Sequence, residues 1–570
     1  MINKILNIIE KKYKKKFFIL ILTLLIGIFL EMISIGMVLP LIATIIDPLN
    51  SVNIVKNFSF DLNFLTISEN NIIFYLLILL ISIFIVKNIT LFFLNKFQAN
   101  NYAKFNEELQ NKLFTKYINQ PINYLMQVNT AFINRNVIDL STQFTYQFLG
   151  SAILALIESI FLFGIITIMF IASPFVTLLG FIIVCIISLI IFLFNYKILL
   201  KAGEKNKFHL GERIKYLYEA FGGILEVKSF KKEEYFITNF SKQNRVLNNL
   251  QVKVNILQFT PKLLLETILV ILLSFLIIFL TKNNNILDIL PLLGLYVYSV
   301  IRILPSLNKI LLNFQRLRYS LPVLNEIHFV INSLQKDHNN SSKKITFNND
   351  IKLKDISYGF DKSKKILDNI NFEVNKNFLI GLIGQSGSGK TTLLKIFMGL
   401  LKPNEGQFLV DGKSIYEFLN SWQNKISFVP QEVYILDDTL KRNIALGVDE
   451  NLIDLEKLNN SIKSSNLEKF VNNLPNGINT VLGEKGSRIS GGQRQRIGIA
   501  RALYNQPEII VLDEATSSLD EKNEYEIFEE LNSLKKDITI IFASHRKTLK
   551  KYCDTLFEIE NTKLNRINFK

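Results

Sequence analysis

The chain has 570 residues, too many for one compact core, so at least two domains are expected. Hydrophobic residues make up 49% of it and include 46 Phe, while Lys and Arg number 65, so apolar and charged residues should occupy different parts of the chain. Two cysteines exclude a disulfide framework, and a net charge of +16 implies either nucleic acid or an anionic lipid surface, a choice settled by where the charge lies.

A helix needs about 20 apolar residues to cross a bilayer. Six runs qualify, at 17–46, 72–94, 148–172, 175–194, 263–280 and 286–312. Six such runs have no place in a water-soluble core, and this arrangement argues against a nucleic-acid partner. The first is too long for a signal-peptide core and lacks a small-residue cleavage pattern. Lys4, Lys11, Lys12, Lys14, Lys15 and Lys16 precede it, whereas residues 47–71 carry only Lys56 beside Asp47, Asp61 and Glu69. The positive-inside rule therefore places the N-terminus in the cytoplasm, and six crossings return the chain there. Residues 95–147 and 195–260 read as helices continuing into the cytoplasm, with breaks at Gln120-Pro121 and Phe221-Gly222-Gly223.

These segments make a membrane domain of residues 1–333. Residues 334–349, rich in Asn, Ser, Lys and Asp, read as a solvated linker. From 350 to 570 strand-like runs at 378–383, 426–429, 509–512 and 539–543 alternate with helical segments, the pattern of an α/β domain with a mostly parallel sheet.

Directly after the first of those strands stands Gly384-Gln385-Ser386-Gly387-Ser388-Gly389-Lys390-Thr391, with Thr392 opening a helical segment. Glycines let backbone N–H groups curl around phosphate oxygens at a positive helix end, Lys390 adds a charge, and the Thr391 hydroxyl can ligate Mg²⁺. The strand at 509–512 delivers Asp513 and Glu514 to its C-terminal end, where open α/β sheets place ligand chemistry. Asp513 suits the surroundings of Mg²⁺, and Glu514 suits polarisation of an attacking water.

Ile489-Ser490-Gly491-Gly492-Gln493, just before a helical run, makes the pattern specific. Here the chain resembles the ABC ATPases, whose signature usually begins with Leu where this one has Ile489. The resemblance implies ATP and Mg²⁺ as ligands, and it implies that Ser490, Gly491, Gly492 and Gln493 serve the nucleotide of a second subunit, so that two chains meet, most simply as a homodimer. It further assigns Gln431 to the Q-loop, Glu484 to the x-loop, Asp520 to the D-loop and His545 to the switch histidine. Phe360 stands where the adenine-stacking aromatic is expected, with Tyr358 the alternative two residues away. Six helices before one such domain resemble an ABC exporter half-transporter: a six-helix membrane domain followed by an α/β P-loop NTPase, multi-pass in the cytoplasmic membrane.

Residues 31–40 and 294–311 resemble the PglK-type flippases, which implies a lipid-linked oligosaccharide or related lipid glycan as substrate. Arg302 lies inside an apolar span, where an ionisable group normally faces a cavity or a partner. It could grip a pyrophosphate bidentately, or pair with Glu31, Glu158 or Glu266.

Overall fold

The computed structural model describes residues 2–37, 72–172, 174–283, 286–334, 343–359, 365–515, 521–545 and 547–567. Residues 38–46 of the first expected crossing, Phe360 and Asp520 lie outside them. The chain forms two compact units, residues 1–120 with 124–336, and residues 121–123 with 337–570.

Long helices dominate the first unit: α1 (Lys11–Gly36), α2 (Ile72–Ile118), α3 (Gly150–Ala172), α4 (Pro174–Gly222), α5 (Glu233–Asn283) and α6 (Ile286–Tyr319). Five stretches among the described residues are long and apolar enough to cross a membrane: Lys11–Ser34, Leu77–Ile118, Gln143–Ile171, Thr177–Gly222 and Glu233–Phe275. The sixth expected crossing lies on α6. Several hydroxyls within these spans are satisfied locally, which is what hydrocarbon surroundings demand. Ser82, Thr90, Ser159 and Thr167 each donate to the carbonyl one turn back, at 2.7–2.9 Å.

α2 stops at Ile118 and a short helix, Ile122–Gln127, restarts after Pro121, whose ring cannot continue the preceding turn. α4 likewise stops at Gly222, and Gly223 caps the short helix Ile224–Ser229. Around that turn Phe221, Leu225 and Phe230 are at least two-thirds exposed, a large apolar surface for a polar region. A feature absent from the sequence reading is a pair of π-helical turns, Arg135–Leu140 and Gln143–Leu149, leading into α3. They bury Arg135 and Asn136, and two guanidinium nitrogens donate to Asn136 Oδ1 at 3.2 and 2.9 Å. α4 also meets the end of α6 backbone to backbone: a Cβ on Gly203 would stand 1.9 Å from the Tyr319 carbonyl oxygen.

The second unit holds two sheets. β1 (Asp350–Tyr358), β2 (Leu367–Asn375), β4 (Glu405–Val410) and β5 (Lys413–Ser414) form an antiparallel sheet in the order β2-β1-β4-β5. β3 (Leu379–Gly384), β6 (Ile426–Val429), β7 (Ile509–Asp513), β8 (Thr539–Ser544), β9 (Thr555–Glu560) and β10 (Lys563–Ile567) form the other, in the order β10-β9-β3-β8-β7-β6. Every pair in it is parallel except β9 with β10.

Side chains alternate between strand faces, and here both faces are buried. Ile509, Val511, Ile541 and Ala543 enter one core with Phe397 and Trp422, while Ile510, Leu512, Ile540 and Phe542 enter the other with Ile497 and Phe528. Trp422 is fully buried and donates its indole N–H to the Phe397 carbonyl at 3.0 Å. That two-sided burial explains why β3, β7 and β8 read as continuous apolar runs. It also leaves their C-terminal ends as the open edge of the layer, where the acidic residues and the glycine-rich turn emerge.

Candidate active site

The turn after β3 runs into α7 (Lys390–Phe397), whose N-cap Gly389 has φ of +105°. A side chain there would be strained and would press within 3.0 Å of Leu367, so only glycine lets the chain wrap close to a bound group. Lys390 is 4% exposed, and its ammonium donates to the carbonyls of Gly384 at 2.8 Å and Gln385 at 3.1 Å, curling the side chain over its own loop. Ser388 Oγ is buried with no hydrogen-bond partner among the described residues. An orphan hydroxyl in a cradle of backbone N–H groups fits a phosphate oxygen.

The other side comes from the adjacent strands. Thr391 Oγ1 donates to Asp513 Oδ2 at 2.7 Å, and Asp513 Oδ1 is buried without a partner among the described residues. Burial pushes the Asp513 carboxyl above its ordinary range, while the Thr391 hydrogen bond and Lys390 pull the other way. These donors fit Mg²⁺: Thr391 and Gln431 would hold it, Asp513 would stand behind them, and the ion would supply charge neutralisation for the phosphates.

Glu514 follows with φ of +49°, a left-handed backbone in a residue other than glycine. Its N–H donates to Ala543 on β8 at 2.9 Å, which fixes the turn and aims the carboxylate back over the loop. There Oε1 lies 3.3 Å from Lys390 Nζ, and Oε2 accepts from Gln431 Nε2 at 3.0 Å. His545, just beyond β8, is half exposed with Nδ1 3.9 Å from Oε2, wider than a hydrogen bond. Three chain segments, carrying Lys390, Gln431 and His545, thus converge on one carboxylate.

The structure brings Lys390, Thr391, Gln431, Asp513, Glu514 and His545 together. Ser490 and Gln493 form a separate unit that caps α8 (Gly491–Tyr504): Ser490 Oγ accepts from Gln493 N at 3.2 Å, and Gln493 Oε1 accepts from Ser490 N at 2.9 Å. Glu484 sits in the turn Glu484–Gly486. Tyr358, the alternative base-stacking residue, is 4% exposed inside the core and its hydroxyl accepts from Asn123, so it offers no free face to a base. Gln495 and Arg501 on α8 were not singled out by sequence, since a buried amide and a helical arginine carry no signature of their own.

Asp513→Asn should separate stability from function. A carboxyl whose pKa is raised by folding is disfavoured in its charged form, so above that pKa the charge costs stability. The amide removes it and can still accept from Thr391. The nucleotide-free variant should therefore melt higher than wild type at neutral pH while losing Mg²⁺-dependent ATP turnover. A lower melting temperature would show that the Asp513 charge contributes to stability.

In the membrane unit Arg302 Nη1 lies 3.2 Å from Glu31 Oε1 and Nη2 lies 3.5 Å from the Tyr298 hydroxyl. Glu158 is engaged elsewhere, by Ser306 at 2.6 Å and Lys309 at 2.7 Å. Of the carboxylates open to Arg302 by sequence, Glu31 is the one the structure pairs with it. Lys87 on α2 is buried and within electrostatic reach of both Glu31 and Arg302. Arg302 is the cation in contact with Glu31, and Lys87 stands near the pair. Apart from this group, α3 to α6 enclose a cavity of about 610 Å³ lined by residues such as Leu162, Met169, Val184, Leu269, Tyr296 and Leu307.

Comparisons with known proteins agree with this geometry. Residues 17–289 match the ABC transporter transmembrane region and residues 367–517 match the ABC transporter family model. The chain is 31% identical over 351 residues to an ATP-dependent lipid A-core flippase of Saccharophagus degradans, covering 61% of this chain and 58% of that protein. It is also 31% identical over 358 residues to a lactococcin G processing and transport ATP-binding protein of Lactococcus lactis, covering 60% and 49%. The matched segments thus span only about half the length of these relatives. A solved bacterial Atm1-family ABC exporter with ATP bound superposes with a TM-score of 0.80 at 19% identity, covering 97% of this chain and 94% of that one. With an ABC transporter transmembrane region followed by a second ABC transporter match, the two together covering most of the chain, the protein belongs to the ABC transporters.

Proposed function

We propose that this chain is one half of an ATP-hydrolysing exporter that moves a lipid-linked oligosaccharide, or a related lipid glycan with an anionic headgroup, across the cytoplasmic membrane. The observation that carries the ATPase reading is Glu514, a carboxylate held by Gln431 and Lys390 directly over the phosphate-binding turn. In hydrolysis Lys390 neutralises phosphate charge, Thr391 and Gln431 would hold Mg²⁺, which would supply further charge neutralisation, and Glu514 takes the proton of the attacking water. Support for a homodimer comes from the signature motif, which caps its own helix away from the Glu514 cluster, and from the exposed Phe221, Leu225 and Phe230, which a second copy would cover.

The substrate reading rests on Lys87, Arg302 and Glu31. Arg302 and Lys87 stand near one carboxylate among apolar helices, where an anionic headgroup would be a natural complement. The relative described as a lipid A-core flippase fits a lipid cargo. A second reading, a multidrug or peptide exporter, is favoured by the apolar cavity, which needs no anionic group to fill it.

Reconstitution with a fluorescent lipid-linked oligosaccharide decides between them. Arg302→Ala should cut flipping at least tenfold while basal ATP hydrolysis survives, because the nucleotide residues lie in the other unit. Arg302→Lys should recover only part, since a point charge lacks the guanidinium fork. Normal flipping by a well-folded Arg302→Ala protein would remove Arg302 from recognition. Stimulation by hydrophobic amines or peptides, without flipping, would establish the second reading.

A further inference from the structure

The loop that presents Gln431 is fastened to α8 at two points. Gln495 is 4% exposed, and its amide Nε2 donates to the Gln431 backbone carbonyl. Nearly two turns further on, Arg501 Nη1 donates to the Tyr434 carbonyl at 3.0 Å. Arg501 is in turn fixed by Asn443, whose carbonyl accepts from Nε at 2.8 Å and whose side chain brackets Leu436 through bonds of 2.8 and 3.1 Å. Residues 431–436 are therefore held as a strip along the helix that begins with the signature motif. The Gln495 bond falls on the peptide from which the Gln431 side chain departs toward Glu514.

We propose that Gln495 is a positioning residue for hydrolysis: it holds the Gln431 backbone so that the Gln431 amide meets Glu514. This rests on the ATPase reading above. The geometry defines one route, from the capped end of α8 through the Gln495 amide to the Gln431 peptide and on to Glu514. Removing the Gln495 donor deprives a part-buried carbonyl of its partner and frees the loop to relax away from the carboxylate. Phosphate binding, which depends on the turn after β3, is not on that route. The effect should therefore fall on turnover and not on ATP affinity.

The experiment is a double-mutant cycle on the full chain in liposomes, using Gln495→Met, Gln431→Ala and the pair, with ATP turnover measured at saturating Mg²⁺. Met keeps the length and volume of Gln and lacks the donor. Gln495→Met is expected to lower kcat about tenfold, equivalent to about 1.4 kcal/mol, with KM for ATP within twofold of wild type. In the double variant kcat should fall no lower than in Gln431→Ala alone, because a residue acting through Gln431 has nothing left to position. A merely structural Gln495 would lower folded yield and leave kcat per folded protein unchanged, which overturns the proposal. Multiplying losses in the double variant would overturn it too, by showing that Gln495 acts independently of Gln431. If Gln495→Met cannot be purified, Gln495→Asn, which withdraws the amide by one methylene, carries the same cycle. A wild-type protein without ATP hydrolysis would sink the ATPase reading itself, whereas a normal kcat in Gln495→Met sinks this inference alone.

Discussion

Glu514→Gln should bind ATP and hydrolyse it about a hundredfold to ten-thousandfold more slowly, the usual range for loss of a positioned general base. The substitution is nearly isosteric, and Gln meets the same left-handed backbone at position 514, so the turn held by Ala543 should persist. The Gln431 amide can still donate to the new carbonyl oxygen, and Lys390 keeps its bonds to Gly384 and Gln385. What disappears is the proton acceptor, together with the negative charge beside Lys390. Single-turnover measurement with radiolabelled ATP on the purified protein tests this. Hydrolysis within twofold of wild type would exclude Glu514 as the base.

An equally large effect is expected from Lys390→Ala and Ser490→Arg, each inactive alone, followed by partial recovery when the two are co-expressed. Alanine at 390 removes the one buried ammonium that the loop turns inward and leaves Glu514 without its 3.3 Å partner. Arginine at 490 takes away a helix cap worth roughly 0.5–2 kcal/mol and crowds the helix end that is to receive phosphate. In a two-fold assembly with sites shared between chains, random pairing makes about half the dimers mixed, each with one intact site. Co-expression should then restore roughly a quarter of wild-type turnover. No recovery, with cross-linking showing that mixed dimers form, would mean that both sites must be intact together.

Residue type and local order made much of this legible before any coordinates. The glycine-rich turn, Asp513-Glu514 and the signature motif each sit next to an apolar strand or a helical run, so their placement at strand and helix ends follows from short-range pattern. Sequence could not show which of them meet. Lys390 opens the helix after β3 and Glu514 follows β7, and their pairing depends on β8 standing between β3 and β7, a long-range order that no local window contains. The left-handed turn at Glu514 was equally hidden, since glutamate is not a residue that announces such a backbone.

In the membrane unit, apolar length located the spans, but the partner of Arg302 stayed open among Glu31, Glu158 and Glu266. Only packing separates these, by giving Glu158 to Ser306 and Lys309. The π-helical turns before α3 left no trace, because their composition is that of ordinary helix. Tyr358 against Phe360 was a matter of strand register. Irregular pairing between Ile356 and Tyr358 falls on just that stretch, and Tyr358 turns into the core.

Gly203 bears on how the membrane unit can move. With no side chain between α4 and the Tyr319 carbonyl, the two backbones meet here, beside side-chain contacts of Phe192 with Phe314 and of Arg318 with Tyr196, and sliding one helix past the other by a turn would bring Leu199 or Lys207 against that carbonyl. Shear along the helix axes is therefore opposed at this position. Gly203 thus works as a detent: it keeps α4 in one axial setting against the end of α6.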